Sequence, residues 1–169
     1  MSAALVPNPP SSLAPVSYVG RSHTHIRFNL THQTPAVLPL SCVQEAITVP
    51  TQRITPMPNM HPCLSGLMNR RSQVIWVIDL AQMLELSASF YHSQQFNLIL
   101  VQTEATPLMF RVQEVSGILN IHSDLIQPAP ANISSGITPY LDGCVSLDSE
   151  LLLVLNAEAI ARSSLLRSS

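Results

Sequence analysis

The sequence predicts a mainly β fold in which two small barrels pack together, and three observations predict it. The first is a duplication. Val43-Gln44-Glu45-Ala46 leads to Ile54-Thr55-Pro56-Met57-Pro58, then Gly66, Ser72-Gln73, an apolar run over 74–78 and Asp79. The same order returns as Val112-Gln113-Glu114-Val115, Ile126-Gln127-Pro128-Ala129-Pro130, Gly143, Ser149-Glu150, an apolar run over 151–155 and Asn156. The second observation is a set of short apolar or alternating runs of strand length, and the third is proline at the corners between them. Each repeat alone is too small to be robust, so the two bury a shared apolar interface. Duplicated β units of this kind present a groove between them, and such grooves are common binding sites.

The elements follow in order. Residues 1–22 are rich in Pro, Ser and Ala without periodicity and read as a mobile tail. Ile26 to Leu30 alternates apolar and polar and reads as the first strand. Pro35 to Pro39 makes a turn or a strand edge, since proline cannot donate to a central ladder. Leu40, Val43 and Ile47 fall at helical spacing, so a short helix or tight turn carries Glu45. Thr55 to Pro62 holds three prolines and reads as an extended loop. Val74 to Ile78, β-branched residues around Trp76, is a strand buried on both faces. Leu80, Met83 and Leu84 suggest a turn or two of helix, and a Ser-rich connector over 87–93 joins the repeats. Phe96 to Val101, Leu108 to Val112, Val115 to Ile121 and Leu151 to Leu155 give further strands, and Ala157 to Leu166 a terminal helix. The ordered domain is thus 23–166, with two intertwined barrel subdomains and a short tail over 167–169.

Composition excludes several function classes. All eight cations are arginine, so a catalytic Schiff-base lysine and a P-loop are both ruled out. A net charge of −2 with no basic run lacks the electrostatic footprint of a nucleic-acid binder. No apolar run approaches the roughly 18 residues of a membrane helix, and the N-terminus lacks a signal-peptide pattern, so no membrane insertion and a cytoplasmic location are expected. Three cysteines, Cys42, Cys63 and Cys144, are odd in number and widely spaced, and read as reduced, mostly buried thiols. His23-x-His25 and His61-Pro62-Cys63 have no matching second pair at zinc spacing, so no metal or other cofactor is expected. Ser, His and Asp occur without a nucleophile elbow, and no catalytic residue is assigned.

The segment 66–80, Gly-Leu-Met-Asn-Arg-Arg-Ser-Gln-Val-Ile-Trp-Val-Ile-Asp-Leu, resembles the signature of CheW-like coupling proteins: Gly, apolar, Asn, x, Arg, Gly, an apolar strand, then Asp-Leu. Val43-Gln44-Glu45 is similar to the family's Val-x-Glu step, 54–58 and 128–130 to its proline loops, and 140–143 to its last turn, so the resemblance covers about 23–162. The double arginine and Trp76 look most like a cyanobacterial branch associated with pilus-based motility. The resemblance implies two five-stranded SH3-like barrels and a non-catalytic adaptor. Such an adaptor links the regulatory domain of a CheA-type histidine kinase to the cytoplasmic tip of methyl-accepting receptors, as in chemotaxis or phototaxis, and is recruited to receptor arrays. The alternative is a regulatory scaffold that binds only one partner and competes with a true coupling protein.

The resemblance also places a receptor groove at Val43, Glu45, Gly66 and Arg71. It implies an Arg71–Glu45 ion pair that fixes the groove, with Arg70 solvated; the alternative is that both arginines are solvated. Glu45 and Glu114 align between the repeats, but Arg70-Arg71 aligns with Leu147-Asp148, so only the first repeat can form the pair. Met57, Met60 and Met68 are candidates for an adaptable contact surface, with Met83 assigned to the core. Ser72 stands where the family has glycine, and is strained if that turn needs positive φ.

Overall fold

The computed structural model describes residues 20–86 and 93–167. Its ten strands are β1 (Ser22–Thr31), β2 (Thr34–Pro39), β3 (Val43–Pro50), β4 (Leu64–Arg70), β5 (Gln73–Asp79), β6 (Gln95–Gln102), β7 (Pro107–Val112), β8 (Glu114–His122), β9 (Leu141–Leu147) and β10 (Glu150–Leu155). They form two five-stranded sheets, ordered β3-β6-β7-β5-β4 in the first barrel and β8-β1-β2-β10-β9 in the second. The two orders are the same pattern, with β1 and β2 taking in one barrel the places of β6 and β7 in the other. Each repeat therefore gives its leading hairpin to the opposite barrel. The strands at 96–101 and 108–112, which chain order assigns to the second repeat, complete the barrel of the first.

Each barrel closes at a glycine. Thr55 and Leu67 exchange backbone hydrogen bonds of 2.8 and 2.9 Å, and Gln127 and Cys144 do the same at 2.9 and 2.8 Å. The residues beside these bridges, Gly66 and Gly143, have φ of +143° and +153°. A Cβ at either would stand 2.2 Å from the Thr55 oxygen or 2.4 Å from the Gln127 oxygen, so no other residue permits the approach.

Strand alternation sorts the apolar side chains into three clusters. Met68, Ile75, Val77, Leu98, Leu100 and Met109 pack together in the first barrel. Val37, Ile121, Val145, Leu152 and Val154 do so in the second. Phe28, Leu38, Ile78, Phe110, Leu153 and Ile160 belong to the cluster the barrels share, against which Trp76 packs. In the run 74–78, Ile75, Val77 and Ile78 are buried, Trp76 is half-buried and Val74 is exposed.

Both repeats end in the same local device. Asp79 caps α1 (Leu80–Met83) by accepting from Gln82 N at 3.2 Å, and Asn156 caps α2 (Ala157–Ala161) by accepting from Ala159 N at 2.9 Å. The terminal helix expected over 157–166 stops at Arg162 and resumes as a 3-10 turn over Ser164–Leu166. Its Ser163 hydroxyl lies 2.8 Å from the Tyr140 hydroxyl.

Three local expectations change. Pro35 to Pro39 is neither turn nor edge but the interior strand β2; its ladder to β10 uses only Ala36 and Val37, which keeps both prolines out of it. The tight turn falls on Leu40–Cys42, a 3-10 turn, and Glu45 sits on a strand, because β3 has an alternating rather than a helical burial pattern. Of the tail expected over 1–22, residues 1–19 lie outside the described residues. Gly20 donates to Asp124 Oδ2 at 2.9 Å, and Ser22 already belongs to β1. Most of the connector over 87–93 also lies outside them.

Candidate partner-binding groove

The groove runs where β3 of one barrel approaches β8 of the other. A cavity of about 390 Å³ there is lined by Ala46, Thr48, Asn97, Glu114 and Val115. Its floor is cross-linked: Thr48 Oγ1 donates to Asn97 Oδ1 at 2.8 Å, and Asn97 Nδ2 donates to the Gln113 carbonyl at 2.9 Å. A polar chain thereby ties β3 and β6 to the entry of β8. Val43 and its second-barrel counterpart Val115 are half-buried against the shared core.

Next to Ala46, Glu45 meets the β4–β5 hairpin. Arg70 donates Nε–H to Glu45 Oε1 at 2.7 Å and Nη2–H to Oε2 at 2.9 Å, a two-bond fork that matches the planar guanidinium to the carboxylate. Arg71 reaches Oε2 only at 3.4 Å, and its side chain is 70% exposed. The expected Arg71–Glu45 pair is present but secondary, whereas Arg70, expected to be solvated, is the principal partner. Hairpin geometry is the reason. Arg70 pairs with Gln73 as the last ladder residues, and Arg71 and Ser72 form the two-residue turn with φ of 53° and 65°. Positive φ at both central positions is a type I′ turn, whose residues lie at the tip, away from the barrel wall. The hydrogen bonds from Arg70 hold the Glu45 carboxyl below its usual range, with the charges of both arginines adding to the effect. Serine at the turn takes the left-handed conformation, as Ser149 does with φ of 66°.

Strand register also corrects the pairing of the repeats. β3 bulges between Val43 and Glu45 opposite Val101 and Leu100, and β8 bulges between Val115 and Gly117 opposite Phe28 and Arg27. Glu45 thus corresponds to Gly117, not to Glu114, and the second barrel has no carboxylate at that place. Arg27, opposite Gly117, pairs instead with Glu150 of the β9–β10 hairpin at 2.6 Å, a bridge of reversed polarity.

Among the remaining candidates, Gly66 contacts the Thr55 backbone and acts through barrel closure. Met57 is exposed and Met60 half-buried, but Met68 is buried inside the first barrel because it alternates inward on β4, so it offers no contact surface. Met83 is core, as expected. Gln113 brings its amide within 3.4 Å of His32 Nε2. All three cysteines are free; burial raises the pKa of each thiol, that of Cys63 to about 11, so none is an activated nucleophile. Among the described residues no cluster of His, Cys, Asp or Glu is arranged to hold a metal, and no helix is long and apolar enough to cross a membrane. Sequence reasoning missed Arg70, Thr48 and Asn97; only for Arg70 was there a signal, since a two-residue turn at 71–72 puts residue 70 in the wall.

Comparison with known proteins agrees with this architecture. Residues 24–165 match the family model described as the CheW-like domain. The chain is 28% identical over 107 residues to the chemotaxis protein CheW of Thermotoga maritima, covering 63% of this chain and 68% of that protein. It is 24% identical over 109 residues to the chemotaxis protein CheW of Bacillus subtilis, covering 64% and 69% respectively. The solved structure of the scaffolding protein TtCheW from Thermoanaerobacter tengcongensis superposes with a TM-score of 0.74 at 18% identity, over 88% of this chain and 98% of that one.

Proposed function

The chain belongs to the CheW-like domain family, whose members are adaptors without catalytic turnover, and from that premise we propose that it couples a CheA-type histidine kinase to the cytoplasmic tip of methyl-accepting receptors. In this reading a receptor helix lies in the groove between β3 and β8, against Val43 and beside Glu45. Arg71 at the hairpin tip is the charged contact, and Gly66 keeps the wall closed. Met57 and Met60 supply an adaptable edge. The double arginine and Trp76 suggest the pilus-motility branch, and thus a chemotactic or phototactic array as its place of work.

The observation that carries the proposal is the Arg70–Glu45 fork. It fixes the carboxylate at the groove from within the chain and leaves Arg71 only loosely held, so the second guanidinium is available to a partner without breaking the first pair. An isolated exposed arginine contributes little to affinity, about 1 kcal/mol or less, so the strand faces along the groove supply most of it and Arg71 supplies orientation.

The test is binding of the purified chain to the kinase regulatory domain with and without a receptor-tip fragment. A ternary complex is expected. Arg71→Ala should weaken the receptor arm and leave kinase binding intact; unchanged receptor-dependent kinase output in that variant would remove Arg71 from the site. Binding to the kinase alone would favour the one-partner scaffold, and binding to neither would overturn the adaptor reading.

A further inference from the structure

The two barrels end differently at the mouths beside their helix caps. In the first, Arg111 stands in register with Asp79 on β5 and Leu98 on β6. It alternates with Phe110 and so faces the same side as Met109, toward the barrel interior. Its guanidinium lies over the Phe96 ring, 3.6 Å from the centroid, and Nη1 is 3.3 Å from Asp79 Oδ2. The side chains of Arg111 and Asp79 are 12% and 5% exposed. The first barrel thus closes its mouth with its own arginine, stacked on an aromatic ring and paired with a carboxylate.

The second barrel has the same frame without the arginine. Pro39 pairs with His25 as Arg111 pairs with Leu98, and Ala36 pairs with Leu153 as Leu108 pairs with Trp76. Pro39 therefore occupies the place of Arg111, His23 that of Phe96, and Asn156 that of Asp79. Where the first barrel holds a guanidinium, the second has an open cavity of about 560 Å³, within the size range of ligand pockets. Its lining includes His23, His25, Ile126, Asp142 and Val154, and no arginine. The carboxylate missing from position 156 returns on β9: Asp142 Oδ1 accepts from Asn156 Nδ2 at 2.8 Å, which orients the group. His25 is 3% exposed, and its Nδ1 lies 3.0 Å from the His23 carbonyl. A carbonyl only accepts, so Nδ1 carries a proton, and in the neutral ring Nε2 is the acceptor. The cavity offers a carboxylate, an imidazole acceptor, a second ring and an apolar wall.

We propose that the mouth of the second barrel binds an arginine side chain presented by a protein partner, in the place that Arg111 takes within the first barrel. Arginine fits better than lysine because a planar guanidinium stacks on a ring while donating along its edge, and an ammonium has no such plane. The site rests on the comparison between barrels and is independent of the coupling reading.

The test titrates the full chain, labelled for imidazole NMR and held above the histidine titration range, with the amide of N-acetyl-Gly-Arg-Gly. The arginine peptide is expected to shift His23 and His25 resonances, and its neutral isostere with citrulline is not. Asp142→Asn should weaken binding by about tenfold, equivalent to about 1.4 kcal/mol. Pro39→Arg, which supplies the arginine from within, should abolish the response. Absence of shifts at millimolar peptide, equal shifts with citrulline, or unchanged affinity in Asp142→Asn would each overturn the proposal. The same shifts on concentrating the chain without peptide would replace the foreign partner by a second copy.

Discussion

Arg70 and Glu45 join opposite edges of the first barrel by two hydrogen bonds, of 2.7 and 2.9 Å, and leave Arg71 as an outer, weaker contact at 3.4 Å. The groove edge is therefore set by a residue one position earlier than the signature arginine. The pair spans the strand that lines the groove and the hairpin that borders it, so a change in either residue alters the relative position of the two.

Removing Arg70 should be felt first at the Glu45 carboxyl. The folded pKa of Glu45 lies below its ordinary value, mainly through the Arg70 hydrogen bonds. Its contribution to stability is consequently present above the ordinary carboxylate pKa and lost as pH falls through the depressed one. Carboxyl NMR titration of Arg70→Ala should return Glu45 toward the ordinary value, and Arg71→Ala should move it much less. Equal shifts in the two variants would contradict the assignment of Arg70 as principal partner.

Asp79 should show the opposite sign. Burial raises its pKa, more than the Gln82 amide and Arg111 lower it. Ionising it therefore costs the folded state, and stability held below the ordinary carboxylate range is lost as pH rises through the raised value. Asp79→Asn keeps an N-cap of the kind Asn156 provides and should lack this loss, which denaturant midpoints across the acidic range would detect. Asp79→Ala should lose the cap as well, about 1 kcal/mol. Arg111→Met leaves the carboxylate buried without its cation and should cost about 3 kcal/mol at neutral pH.

Glycine substitutions should separate closure from conformation. Gly66→Ala puts a methyl 2.2 Å from the Thr55 oxygen and Gly143→Ala one 2.4 Å from the Gln127 oxygen, so both should cost well over about 1 kcal/mol. Gly117 has a similar φ of +146°, but a methyl there would meet nothing within 4 Å, and Gly117→Ala should cost only the backbone strain. Comparable losses at all three in urea denaturation would show that the close approach is not the deciding effect.

Ser72→Gly should stabilise the chain. Serine at φ 65° carries the left-handed penalty of about 1 kcal/mol, which glycine lacks, partly offset by the greater freedom of glycine in the unfolded state. A net gain of a few tenths of a kcal/mol is expected from thermal unfolding, and a loss would mean that the serine side chain stabilises the turn.

The features legible in the amino-acid order are those that short-range physics controls. Unbroken apolar runs marked β5 and β10, and the duplication matched Gly66 with Gly143 and Asp79 with Asn156 without showing their roles at the barrel seams and helix caps. Ser72 was legible as a residue strained if its turn needs positive φ, and Ser149 stands at the matching position of the second repeat. The choice between equivalents came from the folded arrangement alone. Nothing local tells the β1–β2 hairpin whether to complete its own barrel or the other, since the two repeats offer nearly the same edges. Strand register matches Glu45 with Gly117, three residues beyond Glu114, an offset that the similar peptides 43–46 and 112–115 concealed. Arg70 prevailed over Arg71, and Arg111 found Asp79 and Phe96, through contacts between residues far apart in the chain. Periodicity and turn chemistry act over a few residues, whereas partner selection depends on burial and register set by the whole fold.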